Sequence, residues 1–132
     1  MSVSGRVFVA GHTGLVGSAC VRAWSGRPGV TLLTAPRAEL DLTDAEAVRG
    51  WMRRQRPDVV IVAAGKVGGI QANAQQPADF LHQNLMIQAT VIDAAWRAGV
   101  ARLINFGSAC MYPRACRQPM RVEDLLTGPL EP

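Results

Sequence analysis

Four short apolar runs alternate along the chain with segments of helical spacing, in the order β-α-β-α-β-α-β. That order predicts an α/β fold, a doubly wound parallel sheet with helices on both faces, because right-handed crossovers carry each helix over the sheet. A second observation agrees. "DVVIVAAG" at 58–65 is apolar without alternation, as a strand covered on both faces must be. A third is "GHTGLVG" at 11–17, three glycines lying between the first run and the first helical segment.

The elements follow in order. "RVFVA" (6–10) is short, apolar and β-branched, and reads as a buried strand. "LVGSACVRAWSG" (15–26) has helical spacing that puts Val16, Ala19, Ala23 and Trp24 near one face, and Gly26 and Pro28 stop it. "VTLLT" (30–34) is the second strand. Thr43 with Glu46 three residues on reads as a capping box for the next helix, whose buried stripe is Val48, Trp51 and Met52 and which ends before Pro57. Residues 58–65 form the third strand, and "KVGGIQANAQQ" (66–76) reads as a glycine-containing loop. Pro77 to Ala98 reads as one long helix, and the pattern allows a break near Gln83. Its second half is apolar around most of its circumference, with a thin polar stripe at Thr90, Asp93 and Arg97, which calls for a second partner besides the sheet. Gly99 ends it, "RLINFGS" (102–108) is the fourth strand, and no strong period remains beyond Pro113.

Composition narrows the function classes. A chain of 132 residues, 48% hydrophobic, is expected to form one domain. The net charge is +4, and Lys66 is the only lysine among the basic residues. The arginines are scattered apart from "RRQR" (53–56), and with aromatics at 5% they do not form the basic, aromatic-interleaved stripe of a nucleic-acid binder. The N-terminus carries no secretory pattern, and no apolar run approaches the roughly 18 residues that span a bilayer, so a soluble cytoplasmic chain is expected. Cys20, Cys110 and Cys116 are odd in number and form no C-x-x-C, which argues for reduced thiols and against a disulfide framework or zinc site. Cys20 reads as core and Cys116 has no chemical context. His12 and His82 have no ligand partners nearby, so no metal is expected.

Ligands of such sheets bind at the carboxyl ends of the strands. Gly11 to Gly17, Arg37, Ala63 to Lys66 and Gly107 to Cys110 all fall there. Gly11 permits a tight turn, Gly14 lets a pyrophosphate reach the backbone, and Gly17 lets the helix pack close to the sheet. The helix N-terminus offers free N–H groups and a partial positive charge to phosphates. An acidic residue after the second strand would take the ribose 2′-hydroxyl of NAD. Arg37, about twenty residues beyond Gly17, suits the 2′-phosphate of NADP, with Glu39 as the competing residue. Asp41 and Leu42 either cover the adenine or merely lead into the capped helix. Ala63, Ala64 and Gly65 are small enough for a cofactor to lie across them, and Lys66 is either a cofactor ligand or a surface lysine. Ser108 can hydrogen-bond a carbonyl. Cys110 is either an inert thiol or an acid/base at a carbon beside a carbonyl.

Together "VFVAGHTGLVGSA", "RAELDLTD", "AAGKVGGIQAN", "PADFLHQNLMIQ", "GSACMYP" and "QPM…EDLLTGPLEP" resemble the extended short-chain dehydrogenase/reductase superfamily. Within it they resemble the GDP-L-fucose synthase family, in order over practically the whole chain. The resemblance implies a Rossmann-like sheet, here four strands long, as the N-terminal part of an NADP-binding domain with the substrate domain elsewhere. It implies conversion of GDP-4-keto-6-deoxy-D-mannose to GDP-L-fucose by epimerisation and then reduction by NADPH. It gives Ser108 the carbonyl-binding role and Cys110 the epimerisation acid/base role. It gives Gly11 to Gly17 the role of phosphate loop and Arg37 that of the cation near the 2′-phosphate, so that the candidate cofactor residues are Gly11, His12, Thr13, Gly14, Leu15, Val16, Gly17, Arg37, Asp41, Leu42, Ala63, Ala64, Lys66, Phe106, Gly107, Ser108 and Ala109. It also implies a homodimer through the helix around residues 84–98. One departure matters. The superfamily's Tyr-x-x-x-Lys pair is missing, because Tyr112 is the only tyrosine and Cys116 stands where the lysine would be. The chain alone is therefore expected to turn over no substrate. The competing readings are another NAD(P)-dependent sugar-nucleotide epimerase or dehydratase, and a nucleotide-binding module without chemistry.

Overall fold

The structure, a computed structural model, describes residues 4–131. The chain runs β1 (Gly5–Ala10), α1 (Leu15–Trp24), β2 (Val30–Leu33), α2 (Ala45–Gln55), β3 (Val59–Val62), α3 (Ile70–Gln75), α4 (Pro77–Arg97) and β4 (Arg102–Asn105). The four strands are parallel, in the order β2-β1-β3-β4. The chain steps outward from β1 to β2, then returns past β1 to β3 and on to β4. The winding direction therefore reverses between β1 and β3, where Ala10 faces Val62. A crevice opens at such a reversal, which positions the site described below.

Each strand divides the core by alternation. Phe8, Ala10, Val60 and Val62 pack with Val48, Trp51 and Met52 of α2 and Val91, Ala94 and Ala95 of α4 on one face. Val7, Val9, Val59 and Ile61 pack with Cys20, Val21 and Trp24 of α1 on the other. Every residue of β3 is buried, as the unbroken apolar run predicts. Fully buried side chains such as Val7, Phe8 and Val60 each contribute about 1.5–3 kcal/mol of transfer free energy.

Several local expectations are corrected. The inward face of α1 is Gly17, Cys20, Val21 and Trp24, while Val16, Ala19 and Ala23 face outward. Gly17 sets this phase: a Cβ there would fall against the Gly11 carbonyl oxygen. The cap of α2 is Asp44, whose carboxylate accepts the N–H groups of Glu46 and Ala47, both at 3.0 Å. Thr43, one residue earlier, instead donates its hydroxyl to Asp41 at 2.7 Å. Asp44→Ala is expected to destabilise the fold by about 1 kcal/mol in urea melts, whereas Thr43→Ala leaves the cap intact. The stretch 66–76 is not all loop. Ile70–Gln75 is a short helix, and Asn73 closes its first turn by donating to the Gly68 and Gly69 carbonyls.

The long helix α4 is continuous through Gln83, with Pro77 in its first turn, where a missing N–H costs nothing. Its polar stripe is not the solvated one. Thr90 is buried, and Asp93 accepts from Arg49 of α2 at 3.0 and 2.9 Å. The outward stripe is apolar: Leu81, Leu85, Ile92 and Trp96 are exposed. β4 forms one edge of the sheet, with Ile104 and Phe106 exposed. Among the described residues, no helix is long and apolar enough to cross a membrane.

Candidate functional site

A cavity of about 590 Å³ lies at the carboxyl ends of β1 and β3. Its volume falls within the range of about 300–1,000 Å³ usual for small-molecule sites. Three of the four segments singled out in the sequence line it: Gly11–Gly14 after β1, Arg37 with Asp41 and Leu42 after β2, and Ala63–Lys66 after β3.

The turn after β1 is built by close backbone approach. Gly11 has φ +83°, a left-handed conformation, and a Cβ there would lie 2.6 Å from Ala64 Cα. Glycine is required at this point, which presses the turn onto the end of β3. Gly14 is different. A Cβ there would meet only the Gly11 carbonyl oxygen at 3.4 Å, so its outer side is open. Gly14 caps α1 without a side-chain acceptor. The first N–H groups of α1 therefore have no partner within the helix and carry the positive end of its dipole. Leu15 and Val16 are exposed and Gly17 is buried, but none of the three lines the cavity, so they belong to its supporting turn.

Arg37 stands at the rim with 77% of its side chain exposed, 3.5 Å from the Asp41 carboxylate. Glu39, the competing residue, does not line the cavity. Asp41 is held from its other side, accepting the Thr43 N–H at 2.9 Å and hydroxyl at 2.7 Å. The two Thr43 bonds, with Arg37 beyond them, hold the Asp41 carboxyl below the usual carboxylate range. A group whose pKa is lowered by folding stabilises the fold above its unfolded value of about 3.9, and that contribution is lost as pH falls through the folded value. Asp41→Asn is therefore expected to be less stable than the parent at about pH 7, with the gap narrowing at a pH below the ordinary carboxylate range. Urea melts at both values check this, and a gap that persists in acid would assign the loss to packing.

Lys66 reaches into the same space. Its ammonium lies 4.7 Å from the centre of the Phe80 ring. Further contributors join the site. Gln83 and Ile87 of α4 line the cavity, and Thr43 fixes Asp41. For Thr43 a signal existed, since Asp-x-Thr at this spacing is an Asx turn. Gln83 and Ile87 sit on a helix whose pattern reads as core.

The fourth segment leaves the same sheet edge but does not line the cavity. Phe106 donates its N–H to Val62 at 3.3 Å, and the chain then turns away. Ser108 caps the short 3-10 turn Ala109–Met111, its hydroxyl accepting the Cys110 N–H at 3.2 Å. Gly107 lies under Met111, whose sulfur accepts the Ser108 N–H at 3.3 Å. Ser108 and Cys110 are both exposed, presenting a hydroxyl and a thiol on the same turn. Cys116, by contrast, is pushed up in pKa by burial and by the neighbouring Asp124 carboxylate, and so stays protonated.

Residues 7–132 match the family described as NAD dependent epimerase/dehydratase. The chain belongs to that family. It is 49% identical over 127 residues to the GDP-L-fucose synthase of Sinorhizobium fredii, covering 96% of this chain and 40% of the relative. It is 48% identical over 127 residues to the Escherichia coli GDP-L-fucose synthase, again covering 96% and 40%. Among solved structures it is similar to MlghC, a GDP-mannoheptose C4 reductase from Campylobacter jejuni with NADP bound. There the TM-score is 0.90 at 37% identity, covering 99% of this chain and 41% of that one. The chain thus spans about 40% of the length of the curated relatives it matches.

Proposed function

We propose that this chain is the NADP-binding, N-terminal part of a GDP-L-fucose synthase, an enzyme that epimerises GDP-4-keto-6-deoxy-D-mannose and reduces it to GDP-L-fucose. The observation that carries the reading is the convergence of Gly11–Gly14, Arg37 and Ala63–Lys66 on one cavity at the sheet's reversal point. The near half-identity to GDP-L-fucose synthases and the NADP bound in the Campylobacter jejuni structure support it.

The residues fit the cofactor. The open side of Gly14 and the uncapped start of α1 receive the pyrophosphate. His12, Thr13 and the backbone of Leu15, Val16 and Gly17 complete that turn. Arg37 takes the 2′-phosphate, Asp41 and Leu42 border the adenine, and Ala63 and Ala64 leave room along β3. Phe106, Gly107, Ser108 and Ala109 follow β4 on the same sheet edge, outside the cavity lining, and would border the nicotinamide end. NADPH, when bound, supplies a hydride. Ser108 donates its hydroxyl to the sugar's keto oxygen, and Cys110 moves protons at the carbons beside that ketone. The Tyr-x-x-x-Lys pair of the superfamily is not among these 132 residues, so the chain alone does not complete the reduction. The apolar stripe Leu81, Leu85, Ile92 and Trp96 supports a homodimer through α4. The free thiols and the lack of a spanning helix among the described residues fit a cytoplasmic setting.

Calorimetric titration tests the cofactor reading: the chain is expected to bind NADPH, and to bind it more tightly than NADH. Incubation of the chain with GDP-4-keto-6-deoxy-D-mannose and NADPH is expected to give no NADPH oxidation. Turnover there would overturn the division of the site. Equal affinity for the two cofactors would overturn the role of Arg37.

A further inference from the structure

Residues 65–69, between β3 and α3, have no strand or helix to hold them. A glycine-rich segment of this kind loses much conformational entropy when it is ordered. Asn73 holds its end at Gly68 and Gly69, and one side chain of α4 orders its start at Lys66. Asn84, on the second turn of α4, accepts the Lys66 N–H at 2.7 Å and donates to the Lys66 carbonyl at 3.0 Å. This reciprocal pair reproduces what a neighbouring strand would give. The same amide oxygen would lie 3.1 Å from a Cβ on Gly65, so the side chain also packs over the preceding residue. One helical turn earlier, Phe80 is buried and presents its ring to the Lys66 ammonium at 4.7 Å. Backbone and head group of the chain's only lysine are thus both fixed from α4, before any ligand arrives.

We propose that Asn84 is a positioning residue for the inner half of the cofactor site, holding Lys66 where its ammonium meets the phosphate and ribose on the nicotinamide side of NADPH. The proposal rests on the reading that the cavity takes NADPH. Asn84 does not line the cavity and acts only through the segment it holds. Arg37 serves the adenine side from the opposite rim, so the two halves of the dinucleotide are recognised by separable groups.

Separability gives the test. Adenosine 2′,5′-bisphosphate carries the adenine half with its 2′-phosphate and lacks the nicotinamide half. Asn84→Ala is expected to weaken NADPH binding roughly tenfold, the loss of one or two hydrogen bonds' worth of positioning, and to leave adenosine 2′,5′-bisphosphate within about twofold. Lys66→Met, which leaves the backbone untouched, is expected to show the same selective loss. Asn84→Ala added to Lys66→Met is expected to cost less than about a further twofold, because one residue acts through the other. Parallel loss of both ligands in Asn84→Ala, unchanged NADPH affinity in either single variant, or fully additive losses in the double variant would overturn the proposal. If the parent chain binds neither ligand, the NADP reading itself fails.

Discussion

Gly17→Val is expected to destabilise the fold by about 3 kcal/mol or more and to abolish NADPH binding with it. The reason is geometric. A Cβ at residue 17 would fall against the Gly11 carbonyl oxygen, 2.7 Å from the Gly11 carbonyl carbon and 3.0 Å from His12 Cα. All three are backbone atoms, so no rotamer change relieves the contact. Either α1 moves off the sheet, opening the core of Cys20, Val21 and Trp24 against Val7 and Val9, or the turn at Gly11 moves. That turn is itself pinned, because Gly11 lies against the Ala63–Ala64 backbone at the end of β3. Gly14→Ala is the control. Its Cβ meets one atom at 3.4 Å, an ordinary contact, so it should melt within about 0.5 kcal/mol of the parent while narrowing the approach to the phosphate turn. Urea melts of the two variants beside NADPH titrations check both halves. A Gly17→Val chain as stable as Gly14→Ala would show that α1 is free to shift.

The same glycine shows how the sequence was legible and where it was not. Counting apolar residues at helical spacing finds α1 and places Trp24 correctly against the sheet, but it adds Val16, Ala19 and Ala23, which face outward. The true face centres on a residue with no side chain, because the closest contact to the sheet is the one that tolerates no Cβ. β3 was legible as a buried strand, since full burial removes alternation and leaves an unmistakable apolar run, but it is Val59–Val62 rather than the whole of 58–65. At α2 the existence of a cap was legible but its residue was not. Thr43 and Asp44 are both capping types, and only the geometry shows the threonine engaged with Asp41. The site follows the same division. Segments at strand ends converge because topology puts them there, so Gly11–Gly14, Arg37 and Ala63–Lys66 could be named in advance. Gln83 and Ile87 could not, since they come from a helix that reads locally as core and reach the cavity only through the packing of α4 beside β3, and the same packing lets Asn84 hold the Lys66 backbone.

Arg37→Ala is expected to weaken NADPH binding about 100-fold while leaving NADH within about twofold. A guanidinium–phosphate contact is charge-assisted, and each such hydrogen bond is worth about 1.5–3 kcal/mol, against about 1.4 kcal/mol per tenfold in affinity. Arg37 is the cation at the outer rim of the cavity, while Lys66 lies on the β3 side. The nearby Asp41 carboxylate does not remove the arginine from this role. At 3.5 Å it engages one end of the guanidinium, and five N–H donors leave capacity for phosphate oxygens. Being tied down by the two Thr43 bonds, Asp41 also fixes where Arg37 can reach, at the cost of placing a negative charge beside the incoming phosphate. Arg37→Lys should then fall between parent and alanine variant, since it keeps the charge and loses the planar fork. Isothermal titration with NADPH, NADH and adenosine 2′,5′-bisphosphate separates these cases. Equal losses for NADPH and NADH would mean that Arg37 supports the loop after β2 rather than reading the 2′-phosphate. An unchanged NADPH affinity would move phosphate recognition to the turn at Gly11–Gly14.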